Sequence, residues 1–290
     1  MRKFLFALTL CTIGSLAASP SEDDPRLPGY RTTYPMQSLD INVLSTMSTR
    51  TRKGNFRYGD SNATINFGRP ECSTNIIAGI RNINMSLSSK KIQRENTLYG
   101  VLGIDTKYTE MENWIWLGNL VIQPDLRNAD FSRTTRYIGS FQGIFAITEN
   151  LCSYIGAYAE VGIKNKNIKP ILGLEYLFGD WKARIIYPIK AGFTYFGIQD
   201  HAFSLMLRPF YTAVRTSKGL NHKPSILRYE NTGLELRWDY MPNSSLNLWV
   251  SLGQTIKGRL TVGDRNNNHR HHIHVQGDPY AQIGITYGFA

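Results

Sequence analysis

Four histidines crowd the stretch NNNHRHHIHVQGDP, residues 266–279. Imidazole suits zinc, copper and nickel, so His269, His271, His272 and His274 are the chain's candidate metal ligands. No carboxylate or cysteine stands at a convincing ligand spacing beside them. The plainer expectation is a solvated loop whose charge changes near pH ~6.5, with no resident metal. A second set of residues lies at alternate positions of otherwise apolar segments: Asp105, Lys107, Glu160, Glu175, Lys182, Arg184, Arg208, Glu235, Arg237 and Asp239. Turned toward a wet interior, such charges would line a pore and set its ion selectivity. Paired with one another, they would instead brace the wall.

A third set is basic and clustered between apolar segments: Arg50, Arg52, Lys53, Arg57, Lys90, Lys91, Arg94, Lys218, Lys223, Arg265 and Arg270. Gathered on one rim, these side chains would concentrate anions. Glycine-rich phosphate loops, GxSxG and HExxH are absent. The sequence therefore predicts no cofactor and no enzyme. A hydrolytic site on the rim, using His222 or Asp264, is the remaining enzymatic alternative.

The elements that must position these residues are strands. Leu234, Leu236, Trp238 and Tyr240 alternate with Glu235, Arg237 and Asp239. Leu246, Leu248, Val250 and Leu252 alternate with Asn247, Trp249, Ser251 and Gly253. A period of two puts one set on each face of a strand. Fourteen such segments begin near residues 38, 61, 73, 97, 113, 136, 151, 168, 181, 191, 203, 228, 245 and 280. The segments at 181–187 and 191–198 are short, so twelve strands is the fallback. Short connections alternate with mostly longer ones, at 49–60, 88–96, 124–135, 164–168, 214–227 and 257–279, except for the tight Pro188–Lys190 link. The short ones carry Glu71, Glu110, Glu112, Glu149, Asp180 and Asp200, with Arg69 the one basic residue among them. Short acidic turns on one side and long basic loops on the other predict an all-β fold: an antiparallel up-and-down transmembrane barrel of 12–14 strands.

The N-terminus agrees with export. Arg2 and Lys3 precede an apolar run, Phe4 to Leu16, that is too short to span a bilayer. Residues 1–18 are expected to be a signal peptide, 19–37 a periplasmic segment and 38–290 the barrel. Formal charge is +11. In an exported chain such charge points to anionic lipid or glycan rather than nucleic acid. Cys72 and Cys152 begin segments four strands apart, an arc of ~19 Å at ~4.8 Å per strand. That arc is too long for a disulfide between them.

The final segment, PYAQIGITYGFA, ends on alternating apolar residues and Phe289. It resembles the C-terminal signature of outer-membrane β-barrel proteins of Gram-negative bacteria. The segments RIIYPIKAGFTY, LMLRPFYTAV and TGLELRWDYM resemble a family of barrels of unknown function expected in that membrane. The resemblance implies outer-membrane location, and partners in outer-membrane lipid, lipopolysaccharide and the barrel assembly machinery. Three functions follow as expectations. The first is a channel or transporter for small, anionic solutes. The second is an adhesin or structural barrel whose basic rim binds glycan or lipopolysaccharide. The third is a barrel enzyme.

Overall fold

A computed structural model of the protein describes residues 37–46, 49–51, 54–68, 74–87, 95–111, 114–127, 134–163, 165–216, 225–243, 245–264, 270–275 and 277–289. Residues 1–36, which hold the expected signal peptide, and Cys72 lie outside them. The strands in chain order are β1 (Gln37–Thr46), β2 (Thr49–Thr51), β3 (Gly54–Phe67), β4 (Thr74–Leu87), β5 (Glu95–Met111), β6 (Trp114–Gln123), β7 (Arg136–Thr148) and β8 (Leu151–Gly162). They continue with β9 (Asn165–Phe178), β10 (Trp181–Tyr187), β11 (Lys190–Ile198), β12 (His201–Thr216), β13 (Ser225–Asn243), β14 (Leu246–Asp264), β15 (His271–Val275) and β16 (Pro279–Gly288).

All neighbours pair antiparallel. β1 pairs with β3 on one side and β16 on the other, so the sheet closes on itself. Short β2 continues the line of β1 along β3, and β15 the line of β16 along β14. Each of those two pairs is one interrupted wall strand, which makes a fourteen-stranded barrel. Closure leaves no edge to pair with another chain along most of the wall. The two-residue turns at 149–150, 179–180 and 199–200 lie at the same end as the junction of β1 with the end of β16. In the second of these turns Gly179 takes φ +54°, a left-handed conformation that glycine adopts without steric cost.

The alternation read from the sequence sets the two faces. Leu236 is 58% exposed on the outside, whereas its neighbour Glu235 is 2% exposed on the inside. Trp238, Leu248, Val250 and Ile283 also face outward. With Leu102, Ile155, Leu172, Leu174, Phe193 and Leu205 they form an apolar belt around the wall. An arginine on such a belt costs roughly 2–4 kcal/mol at the bilayer midplane. Leu236→Arg should lose that amount in denaturant unfolding from lipid vesicles, and Leu236→Phe should lose little. Equal stability of the two variants would mean that this face does not meet lipid.

The long connections are shorter than the sequence suggests. Residues 54–60 belong to β3, 214–216 to β12, 225–227 to β13 and 257–264 to β14, and 271–275 form β15. The cause is a reversal of polarity toward the long-loop mouth. There the inward positions are apolar, as at Phe56, Tyr58, Tyr229, Leu260 and Val262, while Asn55, Arg57 and Arg259 are exposed. A rule that expects apolar residues outside reads such stretches as loop.

Candidate functional site: the barrel lumen

Each strand sends alternate side chains inward, and three layers result. At the long-loop mouth, apolar residues of non-neighbouring strands meet across the lumen. Phe56 packs on Tyr229 with ring centroids 4.9 Å apart, and Tyr58 packs on Tyr229 at 5.3 Å and on Phe210 at 5.1 Å. Ile83, Met85, Leu227, Leu260 and Val275 complete the cluster. This plug joins β3 and β4 to β12, β13, β14 and β15.

Beside the plug lies a cavity of about 770 Å³, within the size range of small-molecule sites. Its acidic lining residues are Asp60, Glu160, Glu230 and Glu235. Its basic lining residues are Arg81, Arg136, Lys166, Lys169, Arg208, Arg228, Arg259 and Arg270. Four ion pairs border it. Arg81 holds Asp60 at 2.6 Å, and Tyr58 donates to the same carboxylate at 2.7 Å. Arg136 forks onto Glu160 Oε1 at 2.7 and 3.2 Å, and Tyr158 donates to Glu160 Oε2 at 3.1 Å. Arg208 pairs with Glu235 at 3.1 Å, and Arg259 with Glu230 at 2.5 Å, this last pair exposed on the outward side of β13 and β14 at the cavity's edge. Arg136 also reaches across the lumen to donate to Thr212 at 3.4 Å, and lies over the Tyr99 ring.

Toward the short-turn end the lumen is filled. Glu175 accepts from Arg184 at 2.5 Å and from Tyr154 at 3.3 Å, with Lys182 Nζ 4.0 Å away. Arg237 donates to Asp239 at 3.0 Å, and its guanidinium lies 4.4 Å from the Trp249 ring centre. That indole lies flat on the wall because Gly284 has no Cβ; one built there would stand 2.4 Å from the ring. Between these groups remains a space of only about 20 Å³, lined by Lys182, Arg184, Thr194, Ser204, Arg237 and Asp239.

The ten inward charges expected from the sequence all sit on lumen-facing positions. Asp105 accepts a hydrogen bond from Asn119, and Lys107 is half-buried two residues further along β5. The other eight fall into the networks above. The basic rim divides differently. Arg52, Lys53, Lys90, Lys91, Arg94, Lys218, Lys223, Arg265 and the side chain of Arg50 lie outside the described residues. Arg57 stands on β3 and not in a loop, exposed on the outer face. Arg270 is exposed and borders the cavity.

The described part of the histidine stretch is a strand and not a loop, though its histidines are exposed as a solvated stretch requires. His271, His272 and His274 stand on β15, and His269 lies outside the described residues. His272 Nδ1 lies 3.0 Å from the Thr261 hydroxyl, and His274 Nδ1 donates to the Gly258 carbonyl at 3.0 Å. Among the described residues no three His, Cys, Asp or Glu side chains gather as a metal site. Cys152 is buried on the inner face.

The sequence reading missed the plug, the Asp60–Arg81 pair and Arg136. The signal was present in NFRYGD, residues 55–60, where aromatics alternate with polar residues before an acid. Outside the strands, burial holds the Asp125 carboxyl above the ordinary carboxylate range, although Arg127 opposes the shift.

No family model matches the chain, and no curated protein does. Solved structures of outer-membrane barrels do align with it. A Pseudomonas aeruginosa FadL homologue is 9% identical over 88% of this chain and 90% of its own, with a TM-score of 0.46. A bacterial polysaccharide outer membrane secretin is 10% identical over 89% and 100%, with a TM-score of 0.44. The NanC porin is 9% identical over 87% and 100%, with a TM-score of 0.42. Likeness at this level says nothing of what this chain carries. The closed wall, its apolar exterior and its charged interior make the chain, in fold, a β-barrel of the outer-membrane type.

Proposed function

We propose that the chain is an outer-membrane transport barrel, not an enzyme, which passes small anionic solutes through its lumen. The observation that carries this reading is the lining of the 770 Å³ cavity, where eight basic side chains meet four acidic ones. Arg81, Arg136, Lys169 and Arg208 face Asp60, Glu160 and Glu235 inside, and Lys166, Arg228, Arg259 and Arg270 with Glu230 stand at the edge, so positive charge is in excess and the field favours anions. The apolar plug at the mouth supports a gated channel over an open one, since apolar constrictions close pores by dewetting. Transit then requires the Tyr58, Phe210 and Tyr229 rings to part and the charged filling at the short-turn end to rearrange.

The test is current through planar bilayers under a potassium chloride gradient. The wild type should open in rare, brief steps whose reversal potential shows anion preference. That preference should fall as salt rises and the Debye length shrinks from ~10 Å at 0.1 M to ~3 Å at 1 M. Cation preference would overturn the reading. So would the absence of any anion flux from both the wild type and a variant with the plug removed.

A further inference from the structure

The wall has one low stretch. β10 and β11 form a short hairpin whose tip lies at residues 188–189. β10 pairs with β9 only as far as Tyr187 opposite Leu172, and β11 with β12 only as far as Ala191 opposite Leu207. Past those points residues 165–171 of β9 and 208–216 of β12 have no strand beside them on that side, among the described residues. Among the described residues the other neighbouring strands run side by side through the belt; here it has a notch.

A proline stands near the base of each side of the notch. Pro170 lies two residues past the last paired position of β9, Pro209 two past that of β12, and Pro188 caps the hairpin between them. Proline has no amide N–H to leave unpaired, and it blunts an exposed edge. The notch also lies within the apolar belt and not above it. Ile168, 69% exposed, and Pro170 continue the outward face of Leu172 and Leu174. Pro209 continues that of Leu205 and Leu207.

Lys169, Pro188, Ile189, Arg208 and Phe210 belong both to the notch and to the cavity lining, as does Lys166, which shares the outward side of β9 with Ile168 and Pro170. The large cavity therefore extends to the gap in the wall. Neither Lys166 nor Lys169 makes an ion pair with a described residue. Two amines beside apolar surface, at an opening into the belt, match a molecule that is anionic at one end and apolar at the other.

We propose that the notch is a lateral portal through which a single-chain amphiphile with an anionic head moves between the membrane and the lumen cavity. The head lies by Lys166 and Lys169, and the chain lies along Pro188, Ile189 and Phe210. The proposal rests on the transport reading above only for the barrel's place in a membrane.

The probe is 11-(dansylamino)undecanoate, added to the barrel in phosphatidylcholine vesicles and followed by dansyl fluorescence. Saturable binding is expected for the wild type. Asn167→Trp with Ile189→Trp, which crowds the notch, should weaken it at least tenfold, and so should Lys166→Gln with Lys169→Gln. Ile168→Trp places the same bulk on the outer face and should bind as the wild type does. The lysine pair keeps the test decisive if the tryptophan pair does not fold. Notch variants that bind the probe like the wild type would overturn the portal. A wild type that passes small anions but binds no probe would also overturn it, and would leave the channel standing. Notch-dependent binding by a barrel that never passes small anions would keep the portal and remove the channel.

Discussion

Replacing Tyr58 and Phe210 together with alanine should make openings markedly more frequent, with the charged filling at the short-turn end left as the remaining barrier. These rings, with that of Tyr229, meet from non-neighbouring strands and close the mouth. Truncating two of them removes much of the apolar constriction, so the mouth wets more readily. Removing a buried Phe ring costs ~3–5 kcal/mol in a close-packed core. The cost here should fall below that, because the emptied space joins a cavity that water can fill. Tyr58 also donates a hydrogen bond to Asp60. Tyr58→Phe removes that bond and keeps the ring, so it should leave the current nearly as rare as in the wild type. If the double alanine variant conducts no more than the wild type, the apolar cluster is not the gate.

The second large effect is on stability. Arg136→Met should destabilise the barrel by about 3–5 kcal/mol, because it leaves Glu160 charged and buried with its partner gone. Among the described residues Tyr158 alone then donates to that carboxylate. Arg136→Met combined with Glu160→Met should recover most of the loss, since a methionine pair carries no charge to strand. Unfolding by denaturant in vesicles, read as a double-mutant cycle, isolates the coupling. A coupling near zero would mean that water already solvates both groups and that this part of the lumen is wetter than its geometry indicates.

Much of this frame was legible because strands leave a period of two and short turns fix register. The Gly179–Asp180 turn sets Phe178 opposite Trp181, and counting back along both strands sets Glu175 opposite Arg184. That ion pair follows from chain positions alone. The Arg136–Glu160 pair does not. A register shift between Ala146 and Thr148 moves β7 by one residue against β8, so Glu160 faces Ile138 and Arg136 reaches it diagonally. No residue type announces that shift. Contacts across the lumen, such as Arg136 with Thr212, depend on how wide the closed wall is, which no single strand encodes. The plug escaped for a different reason. Outside the lipid belt the rule that apolar residues face outward reverses, and Phe56, Arg57 and Tyr58 then read as loop.

The seam between β1 and β16 carries a consequence for assembly. Ser38 lies opposite Gly288, and Thr286 donates to Asp40 at 2.6 Å. The residues that complete the wall are thus nearly a whole chain apart in sequence. Contacts of such long range form slowly, because the loop they close is costly in entropy. Until they form, both strands offer bare edges that other copies can join. The unclosed chain therefore passes through a long vulnerable interval before the wall is complete. Loss of β16 would yield aggregates in place of a smaller, leakier barrel.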